Sequence, residues 1–541
     1  MSGPFTMSVE FEGSTVGRVR ATKKGNDIVQ CLGVQYATLK DRFAPAVIKS
    51  YDTKGDVIDA TTFGPIVPAS PEGPKTEMGF LQQSLEYDAS ALRPSDTECL
   101  NLNISIPAGA LEGDAKLPVF VFIHGGAFLF GSGNNPTYDL ARFVRLSVAK
   151  NLPVVGVTMN YRLGAPGFLT SEELCKAGYK PNNALRDQRT ALLWIQKYIA
   201  DFGGDPKEVT LVGESAGGVS ANYHLHSKEP LFKRVICMSG TVLLEPPSSF
   251  ESAEAIYEKA TDALGLHDAT PSQRMEALNQ MDIQELRNKL MRAGIPAGPT
   301  IDGDIVPSAI SYNSIKEGSC TWPAKYWCAG MIMGDCEYDG AIQGGRLLHR
   351  GTGLGSAFSK HVKTFFGDQP DTAAALLDDY NISSDMADNT ALNNVLEFCT
   401  DICWYAPTVE VAESLADDIP MYMYRFNEPN PWPGPNRGRA IHIFDLAALL
   451  QNFNDFLDER AKQLNESFAE QVLNFVHGNE PWRIYKMNPV DDGRAANVLG
   501  PDGQVNIEAD LASIVGRRAH IFPLGRKVGF DRLKKCWDGF A

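Results

Sequence analysis

The stretch Gly213-Glu214-Ser215-Ala216-Gly217 is the most informative part of this chain because of the segments on either side of it. The run 208–212 before it is apolar and β-branched, which predicts a buried strand, and the pair Asp205-Pro206 predicts a loop ahead of that strand. The run 216–227 after it can form a helix. Because glycines allow a sharp turn between close neighbours, the pattern predicts a serine exposed at a helix N-terminus.

A second glycine-rich turn lies upstream. The segment His124-Gly125-Gly126-Ala127-Phe128 directly follows the apolar run 117–123, which predicts another strand. A lone G-x-S-x-G match also arises in ordinary glycine-rich turns. Two such turns in this order, each after a strand, are typical of the α/β-hydrolase fold, in which the first turn provides the oxyanion hole and the second the nucleophile.

Strands alternate with helices along most of the chain. The runs 154–159, 329–334 and 421–426 predict strands, and 191–199 has helical periodicity. Residues 1–60 alternate apolar and polar in short runs broken by glycine, which predicts an N-terminal β-meander. The fold class is therefore α/β, with a large, mostly parallel central sheet covered by helices on both faces.

The segment 245–300 is polar and predicts an insertion of helices that forms a cap over the site. One helix is expected to begin at Ser252. Another is expected to have Thr270 as its N-cap and Pro271 at its first position. Because enzymes of this class grow by insertion into one core, we expect residues 1–541 to form a single domain that carries this cap.

Composition and charge argue against several kinds of partner. With 43% hydrophobic and 21% charged residues, the chain has the composition of an ordinary globular protein. Its formal net charge of −16 argues against binding to nucleic acid or to an anionic membrane surface. No run reaches the roughly eighteen apolar residues of a membrane span, and the first twenty residues lack the apolar core of a signal peptide. We therefore expect a cytoplasmic protein.

The sequence predicts no cofactor and no metal. It contains no G-x-G-x-x-G, P-loop or H-E-x-x-H motif. Its ten cysteines form neither a disulfide framework nor a paired C-x-x-C motif. The expected ligand is a small-molecule substrate, and the sequence leaves the choice between a monomer and a homodimer open.

A serine nucleophile needs a base within hydrogen-bonding reach, and the base needs a carboxylate to orient it. In this fold the acid and then the histidine follow the serine, on loops after later strands. Among the histidines after Ser215, only His442 lies in a loop shortly after a convincing late strand. The acid should follow the strand that ends at Gly334, and physical reasoning leaves three carboxylates open there: Asp335, Glu337 and Asp339.

Over nearly its whole length the chain resembles the type-B carboxylesterases, the family that includes cholinesterases and several fungal lipases. Beyond the two glycine-rich turns, the motifs that carry the resemblance are Gly33-Val-Gln-Tyr-Ala37, Glu98-Cys-Leu-Asn-Leu-Asn103, Asn160-Tyr-Arg-Leu163, Phe202-Gly-Gly-Asp-Pro206, Asp302-Gly-Asp304 and His442-x-x-Asp445-Leu446. The resemblance implies an α/β-hydrolase fold and a serine ester hydrolase.

The resemblance also implies the catalytic roles. Ser215 would be the nucleophile and His442 the base. The family's acid lies five residues after the strand-end glycine and immediately before another glycine, which is Asp339 here. The family usually has glutamate at this position, and aspartate is one methylene shorter, so Glu337 remains the alternative acid.

The remaining site residues follow from the same resemblance. The backbone N–H groups of Gly126, Ala127 and Ala216 would form the oxyanion hole. Glu214, Ser239 and Asp445 occupy supporting positions around the triad. In the family, the positions of Ser239 and Asp445 support the histidine and the acid by hydrogen bonds.

Two departures from the family pattern bear on location and substrate. The family's first disulfide joins the equivalent of Cys99 to another cysteine, and Val67 takes the place of that second cysteine here. Cys99 is therefore expected to be free, which agrees with a reducing compartment. Choline-binding members carry a tryptophan in the loop before the Cys99 position, and no tryptophan lies between Thr61 and Leu100.

The sequence thus predicts a serine carboxylic-ester hydrolase that acts through an acyl-enzyme on small, largely apolar esters. Two alternatives stay open. One is an acyltransferase or lactone-processing enzyme that uses the same acyl-enzyme. The other is a non-catalytic, cholinesterase-like binding module, against which the intact Ser215 and its partners argue.

Overall fold

One large mixed sheet forms the centre of the computed structural model, which describes residues 7–51, 57–70, 72–89, 92–113, 116–348, 351–485, 495–501, 504–508 and 520–541. The strands are β1 Ser8–Gly13, β2 Gly17–Lys24, β3 Ile28–Gln35, β4 Ala37–Thr38, β5 Val47–Ile48, β6 Ile58–Ala60, β7 Asn101–Pro107, β8 Leu117–Ile123, β9 Val155–Met159, β10 Gly204–Glu214, β11 Arg234–Met238, β12 Met331–Cys336, β13 Met421–Phe426, β14 Ala495–Leu499 and β15 Gln504–Glu508.

Helices flank this sheet. They are α1 Gly73–Leu81, α2 Ala141–Ala149, α3 Gly164–Phe168, α4 Glu172–Lys176, α5 Asn183–Tyr198, α6 Ala216–Tyr223, α7 Phe250–Ala263, α8 Pro271–Gln280, α9 Ile283–Arg292, α10 Tyr312–Lys316, α11 Gly344–Leu348, α12 Leu354–Phe365, α13 Pro370–Asp379, α14 Asp388–Thr400, α15 Ala406–Leu415, α16 Phe444–Leu450, α17 Glu459–Val476, α18 Ile521–Val528 and α19 Phe530–Phe540.

The strand order of the main sheet is β1-β2-β3-β7-β9-β8-β10-β11-β12-β13-β14-β15, with β6 paired to β2 and with β4 and β5 forming a separate ribbon. Strands β1, β2 and β3 run antiparallel as the predicted meander, of which residues 1–6 and 52–56 lie outside the described residues. The pairs from β9 through β14 are parallel. The prediction of a mostly parallel sheet flanked by helices is confirmed.

The parallel strands bring the predicted site residues to one edge of the sheet. The carboxyl end of β8 precedes the oxyanion turn, that of β10 precedes Ser215, and that of β11 precedes Ser239. The loop after β12 carries Asp339, and the loop after β13 carries His442. In open α/β sheets this is the edge at which ligands bind.

Some predicted boundaries are wrong. Strand β12 ends at Cys336 rather than at Gly334, so Asp335 lies inside the strand, where it forms an ion pair with Arg425. Asp205 and Pro206 lie inside β10, which begins at Gly204 and has an irregular register between Gly204 and Val209. Helix α7 begins at Phe250, because the Ser249 side chain accepts a hydrogen bond from Ser252 N and so caps the helix two residues earlier than predicted.

The predicted cap segment forms helices α7, α8 and α9. Thr270 caps α8 as predicted, in a reciprocal capping box with Gln273. The three helices contribute Tyr257, Leu278 and Leu286, among others, to a small apolar cluster that also contains Phe43, Leu169 and Leu174. That the chain forms one domain, with this segment as a cap over the site, stays a prediction.

None of the ten cysteines forms a disulfide within the described residues, and nine of them are buried. Cys99 and Val67 both lie in the apolar core. Within the described ranges, no helix has the length and apolar character needed to cross a bilayer. The cytoplasmic location and the oligomeric state stay predictions.

Candidate active site

Ser215 lies on a strained turn between β10 and α6. Its backbone angles, φ 55° and ψ −124°, are rarely adopted by a residue with a side chain. Two backbone hydrogen bonds hold the turn, one from Ser215 N to Met238 O at 2.9 Å and one from Val219 N to Ser215 O at 2.9 Å. The strain at Ser215 is thus maintained by both a neighbouring strand and the following helix.

The glycines around Ser215 are required by close backbone contacts. A Cβ atom on Gly213 would lie 2.0 Å from Gly217 O, and one on Gly217 would lie 2.0 Å from Ile123 O. A Cβ atom on Gly240 would lie 2.1 Å from Ser215 O. Because these obstacles are backbone atoms, a larger residue would displace Ser215.

His442 and Asp339 meet in the buried space beside this turn. His442 Nδ1 lies 2.6 Å from Asp339 Oδ1, and Asp339 Oδ2 accepts a hydrogen bond from Cys336 N at 2.9 Å. The two loops are joined by a further hydrogen bond from Tyr338 N to Ala440 O at 2.8 Å. This arrangement orients the imidazole with its Nδ1–H directed at the carboxylate.

Glu337, the alternative acid, faces away from the histidine. Its Oε1 lies 3.2 Å from Arg439 Nε, and its Oε2 accepts a hydrogen bond from Ala440 N at 3.2 Å. About 30% of its side chain is exposed, whereas Asp339 is fully buried. The structure therefore brings Asp339, and not Glu337, to His442.

The predicted oxyanion turn lies directly against Ser215. A Cβ atom on Gly125 would lie 2.9 Å from Ser215 Cβ. Gly126 and Ala127 have φ values of 101° and 52°, so the turn is left-handed even at its alanine. The Ala216 N–H belongs to the first turn of α6, where helices leave N–H groups without intrahelical acceptors.

His124, the first residue of this turn, stabilises the turn through its contacts with Tyr161 and Gly125. Its ring stacks on Tyr161 at 4.5 Å, and the Tyr161 hydroxyl donates to His124 O at 2.7 Å. Burial lowers the pKa of His124 to about 4, so the ring is neutral at pH 7. Its Nδ1 lies 2.8 Å from Gly125 O, which closes the turn locally.

Glu214 is the second carboxylate at the histidine. Its Oε1 lies 3.1 Å from His442 Nε2, and the described residues show no hydrogen bond between His442 Nε2 and Ser215 Oγ. Burial raises the pKa of Glu214 to about 8. Burial also lowers the pKa of His442, but the carboxylates of Glu214 and Asp339 outweigh it and raise that pKa to about 9.

The other two supporting positions are occupied differently. Asp445 accepts hydrogen bonds from the Tyr424 hydroxyl at 2.5 Å and from Leu446 N at 2.8 Å, and burial raises its pKa to about 6. Ser239 donates through its backbone N–H to Gly334 O at 2.9 Å. Its hydroxyl has no hydrogen-bond partner among the described residues, so its supporting role stays a prediction.

Sequence reasoning missed Glu77, a carboxyl group on α1 that is buried close to this centre. It accepts a hydrogen bond from Asn135 Nδ2, and burial raises its pKa to about 8. Its charge acts on Tyr138 and on Glu214. No motif marks this residue, because its burial depends on how the segment 72–89 folds back on the chain.

A narrow apolar cavity of about 40 Å³ lies between α9 and the start of α3. Its wall includes Leu286, Leu290 and Leu129, the last of which is two residues beyond Ala127. Neither Ser215 nor His442 lines it. Among the described residues, no three histidine, cysteine or acidic side chains converge as metal ligands do, and the lack of a cofactor stays a prediction.

Comparison with known proteins places the chain in a family. The model of the carboxylesterase family matches residues 5–493. The para-nitrobenzyl esterase of Bacillus subtilis is 28% identical over 96% of this chain and 99% of its own length. Lipase 3 of Yarrowia lipolytica is 28% identical over 88% of this chain and 90% of its own length.

A solved structure gives the same result. The Geobacillus stearothermophilus carboxylesterase EST55 aligns with a TM-score of 0.69 and 25% identity, over 92% of this chain and 97% of that chain. These relatives support carboxylic ester hydrolase activity. The chain belongs to the carboxylesterase family and has the α/β-hydrolase fold that its sequence predicts.

Proposed function

We propose that this protein is a serine carboxylic-ester hydrolase with Ser215 as nucleophile, His442 as base and Asp339 as orienting acid. The observation that carries the proposal is the buried contact of 2.6 Å between His442 Nδ1 and Asp339 Oδ1 beside the strained turn of Ser215. A nucleophile, a base and an orienting carboxylate at one sheet edge are the parts that acyl transfer requires.

In the first half-reaction Ser215 Oγ attacks the ester carbonyl carbon, and its proton passes to His442 Nε2. The charge on the carbonyl oxygen is stabilised by the N–H groups of Gly126, Ala127 and Ala216. Asp339 keeps Nδ1 protonated and stabilises the imidazolium. When the tetrahedral intermediate collapses, His442 returns the proton to the leaving alcohol and an acyl-serine remains.

In the second half-reaction a water molecule loses a proton to His442 Nε2 and attacks the acyl carbon. Collapse of the second intermediate returns that proton to Ser215 Oγ and releases the acid. Because Nε2 faces Glu214 in the resting enzyme, its hydrogen bond to Ser215 has to form as substrate binds. Catalytic hydrogen bonds are often long before the substrate is present.

The substrates proposed are small, largely apolar, uncharged esters. The apolar wall that Leu129 forms with Leu286 and Leu290 supports this class, since Leu129 lies two residues beyond Ala127 of the proposed oxyanion turn. The segment between Thr61 and Leu100 supplies no tryptophan that would hold a quaternary ammonium.

Active-site labelling tests the proposal. A fluorophosphonate should label the folded wild-type protein at Ser215. Ser215→Ala should remain unlabelled and lose about 10⁴- to 10⁶-fold in kcat toward p-nitrophenyl butyrate. Ser272→Ala, which changes an exposed serine on α8, is the matched control and should retain both labelling and activity. A folded wild-type protein that neither reacts nor hydrolyses esters would instead be a non-catalytic binding module.

A further inference from the structure

Trp404 lies against the histidine of the proposed triad. Its ring centroid is 5.7 Å from that of His442, with an angle of 64° between the ring planes. The side chain is 2% exposed. Its indole Nε1 is buried, and the described residues offer it no hydrogen-bond acceptor. An indole N–H can only donate, so it needs an acceptor from elsewhere.

The position of Trp404 is held by the same loop that carries the acid. Trp404 belongs to a π-helical turn, Asp401–Tyr405, that directly continues α14. The residue after the acid, Gly340, donates through its N–H to Thr400 Oγ1 at 2.9 Å. A Cβ atom on Gly340 would lie 2.4 Å from Leu396 O, so the loop and α14 are in close contact.

Two tyrosines fix the turn from its other side. The Tyr380 hydroxyl donates to Asp401 Oδ2 at 2.7 Å, and the Tyr312 hydroxyl donates to Ile402 O at 2.8 Å. The turn is therefore anchored on both sides, and Trp404 is held beside His442 by its backbone. Single π-helical turns inside α-helices occur frequently at functional sites.

The unsatisfied indole N–H is informative because natural proteins rarely leave a buried donor without an acceptor. Nearby, His442 Nε2 lies 3.1 Å from Glu214 Oε1, and neither carboxyl oxygen of Glu214 accepts a hydrogen bond from the described residues. In the proposed mechanism Nε2 receives the proton of Ser215, so it is not a lasting acceptor for Trp404. A substrate bound beside His442 is the natural source of that acceptor.

We propose that Trp404 is a specificity-determining residue whose indole N–H donates a hydrogen bond to an oxygen atom of the substrate outside the scissile ester group. This inference rests on the proposed hydrolase function and narrows its substrate class. The preferred substrates are largely apolar esters with an ether, carbonyl or hydroxyl oxygen within a few bonds of the scissile carbonyl. Esters with a methylene group at that place leave the indole N–H unsatisfied.

Matched substrate pairs test the proposal. On the acyl side, p-nitrophenyl methoxyacetate is compared with p-nitrophenyl butyrate, in which a methylene replaces the ether oxygen. On the alcohol side, 2-methoxyethyl butyrate is compared with butyl butyrate. The kcat/KM ratio within each pair is measured for the wild type and for Trp404→Phe, so that the intrinsic reactivity of each ester cancels.

Trp404→Phe should lower the preference for the oxygen-bearing ester about 2- to 10-fold in one of the two pairs, the range expected for one neutral hydrogen bond. The methylene ester of that pair should lose less in kcat/KM than the oxygen-bearing ester. Trp482→Phe is the matched control, because Trp482 is also a buried tryptophan with an unpartnered Nε1 but packs on Tyr422 near the start of β13. It should change neither ratio.

Unchanged ratios in both pairs, or an equal loss for all four esters, would overturn the assignment. Failure of the wild type to hydrolyse any of them would refute the proposed function itself. If Trp404→Phe does not fold, indole N–H spectra of the ¹⁵N-labelled wild type decide the question. The spectra are recorded after reaction with phosphonate esters that form two matched pairs. One pair has a methoxymethyl or a propyl group on phosphorus, and the other has a 2-methoxyethyl or a butyl ester group. One indole N–H should shift downfield with the oxygen-bearing member of a pair alone, and identical spectra within both pairs would overturn the proposal.

Discussion

Glu214 Oε1 lies 3.1 Å from Nε2 of His442, the ring nitrogen opposite the one that Asp339 holds. The imidazole is thus enclosed between two buried carboxyl groups. Together they raise the pKa of His442 to about 9, although burial acts in the opposite direction. Burial raises the pKa of Glu214, whereas the charge of His442 lowers it, so the two groups titrate as a coupled pair.

The pH profile of hydrolysis should report this contact. His442 has to be neutral to accept the proton of Ser215, and a raised pKa keeps it protonated below that pKa, so kcat/KM should rise from neutral toward alkaline pH. Glu214→Gln removes one carboxylate, lowers the pKa of His442 and should move the acidic limb to lower pH. The measurement is kcat/KM for p-nitrophenyl butyrate over roughly pH 5 to 10, corrected for spontaneous hydrolysis.

Glu337→Gln is the control for that profile, because Glu337 faces Arg439 rather than the histidine. Its acidic limb should coincide with that of the wild type. If the acidic limb of the kcat/KM profile lies at the same pH in Glu214→Gln as in the wild type, Glu214 does not control the protonation of His442.

Removal of the acid should have a far larger effect on the rate. Asp339→Asn should lower kcat about 10⁴-fold, because an amide at this position favours the wrong imidazole tautomer. Glu337→Gln should stay close to the wild-type rate with the same ester. The opposite order of effects would identify Glu337 as the acid.

Cys99 should be present as a free thiol. Val67 occupies the place of the family's partner cysteine, and the two side chains are buried in the core. Burial raises the pKa of the Cys99 thiol to about 12, so it should react with an alkylating reagent only after denaturation. Peptide mapping of the unreduced protein gives the result, with the partly exposed Cys175 as the thiol that reacts in the native state. A mapped disulfide that includes Cys99 would refute this expectation.

Uncharged esters should be hydrolysed with a higher kcat/KM than acylcholines. A desolvated aromatic face contributes about 2 kcal/mol or more to binding a quaternary ammonium, and no tryptophan lies between Thr61 and Leu100. The net charge of −16 attracts cations only weakly, because ordinary salt screens charges beyond about 8–10 Å. The matched pair is butyrylcholine and its uncharged 3,3-dimethylbutyl isostere. A clear preference for the cation would reveal a cation site elsewhere in the pocket.

The local features of the site could be predicted from the sequence because they follow from short-range sterics. The turn at Ser215 requires glycine at 213, since a Cβ atom there would lie 2.0 Å from Gly217 O. The apolar run of β13 was also predicted with the bounds that the structure shows, Met421–Phe426. The predicted start of β10 after Asp205 is wrong because the strand continues through an irregular register. The predicted start of α7 at Ser252 is wrong because the Ser249 side chain caps the helix earlier.

By itself, the sequence determined the fold class and the strand-turn-helix motif that carries Ser215, because these depend on neighbours in the chain. Only the tertiary structure decided which carboxylate meets His442, since Asp339 lies 103 residues away from it and the pairing depends on the order of β12 and β13 in the sheet. The same is true of the contacts that Glu214 and Trp404 make with the imidazole. Burial and charge at this site arise from segments that are distant in sequence, and a linear pattern does not encode such distances.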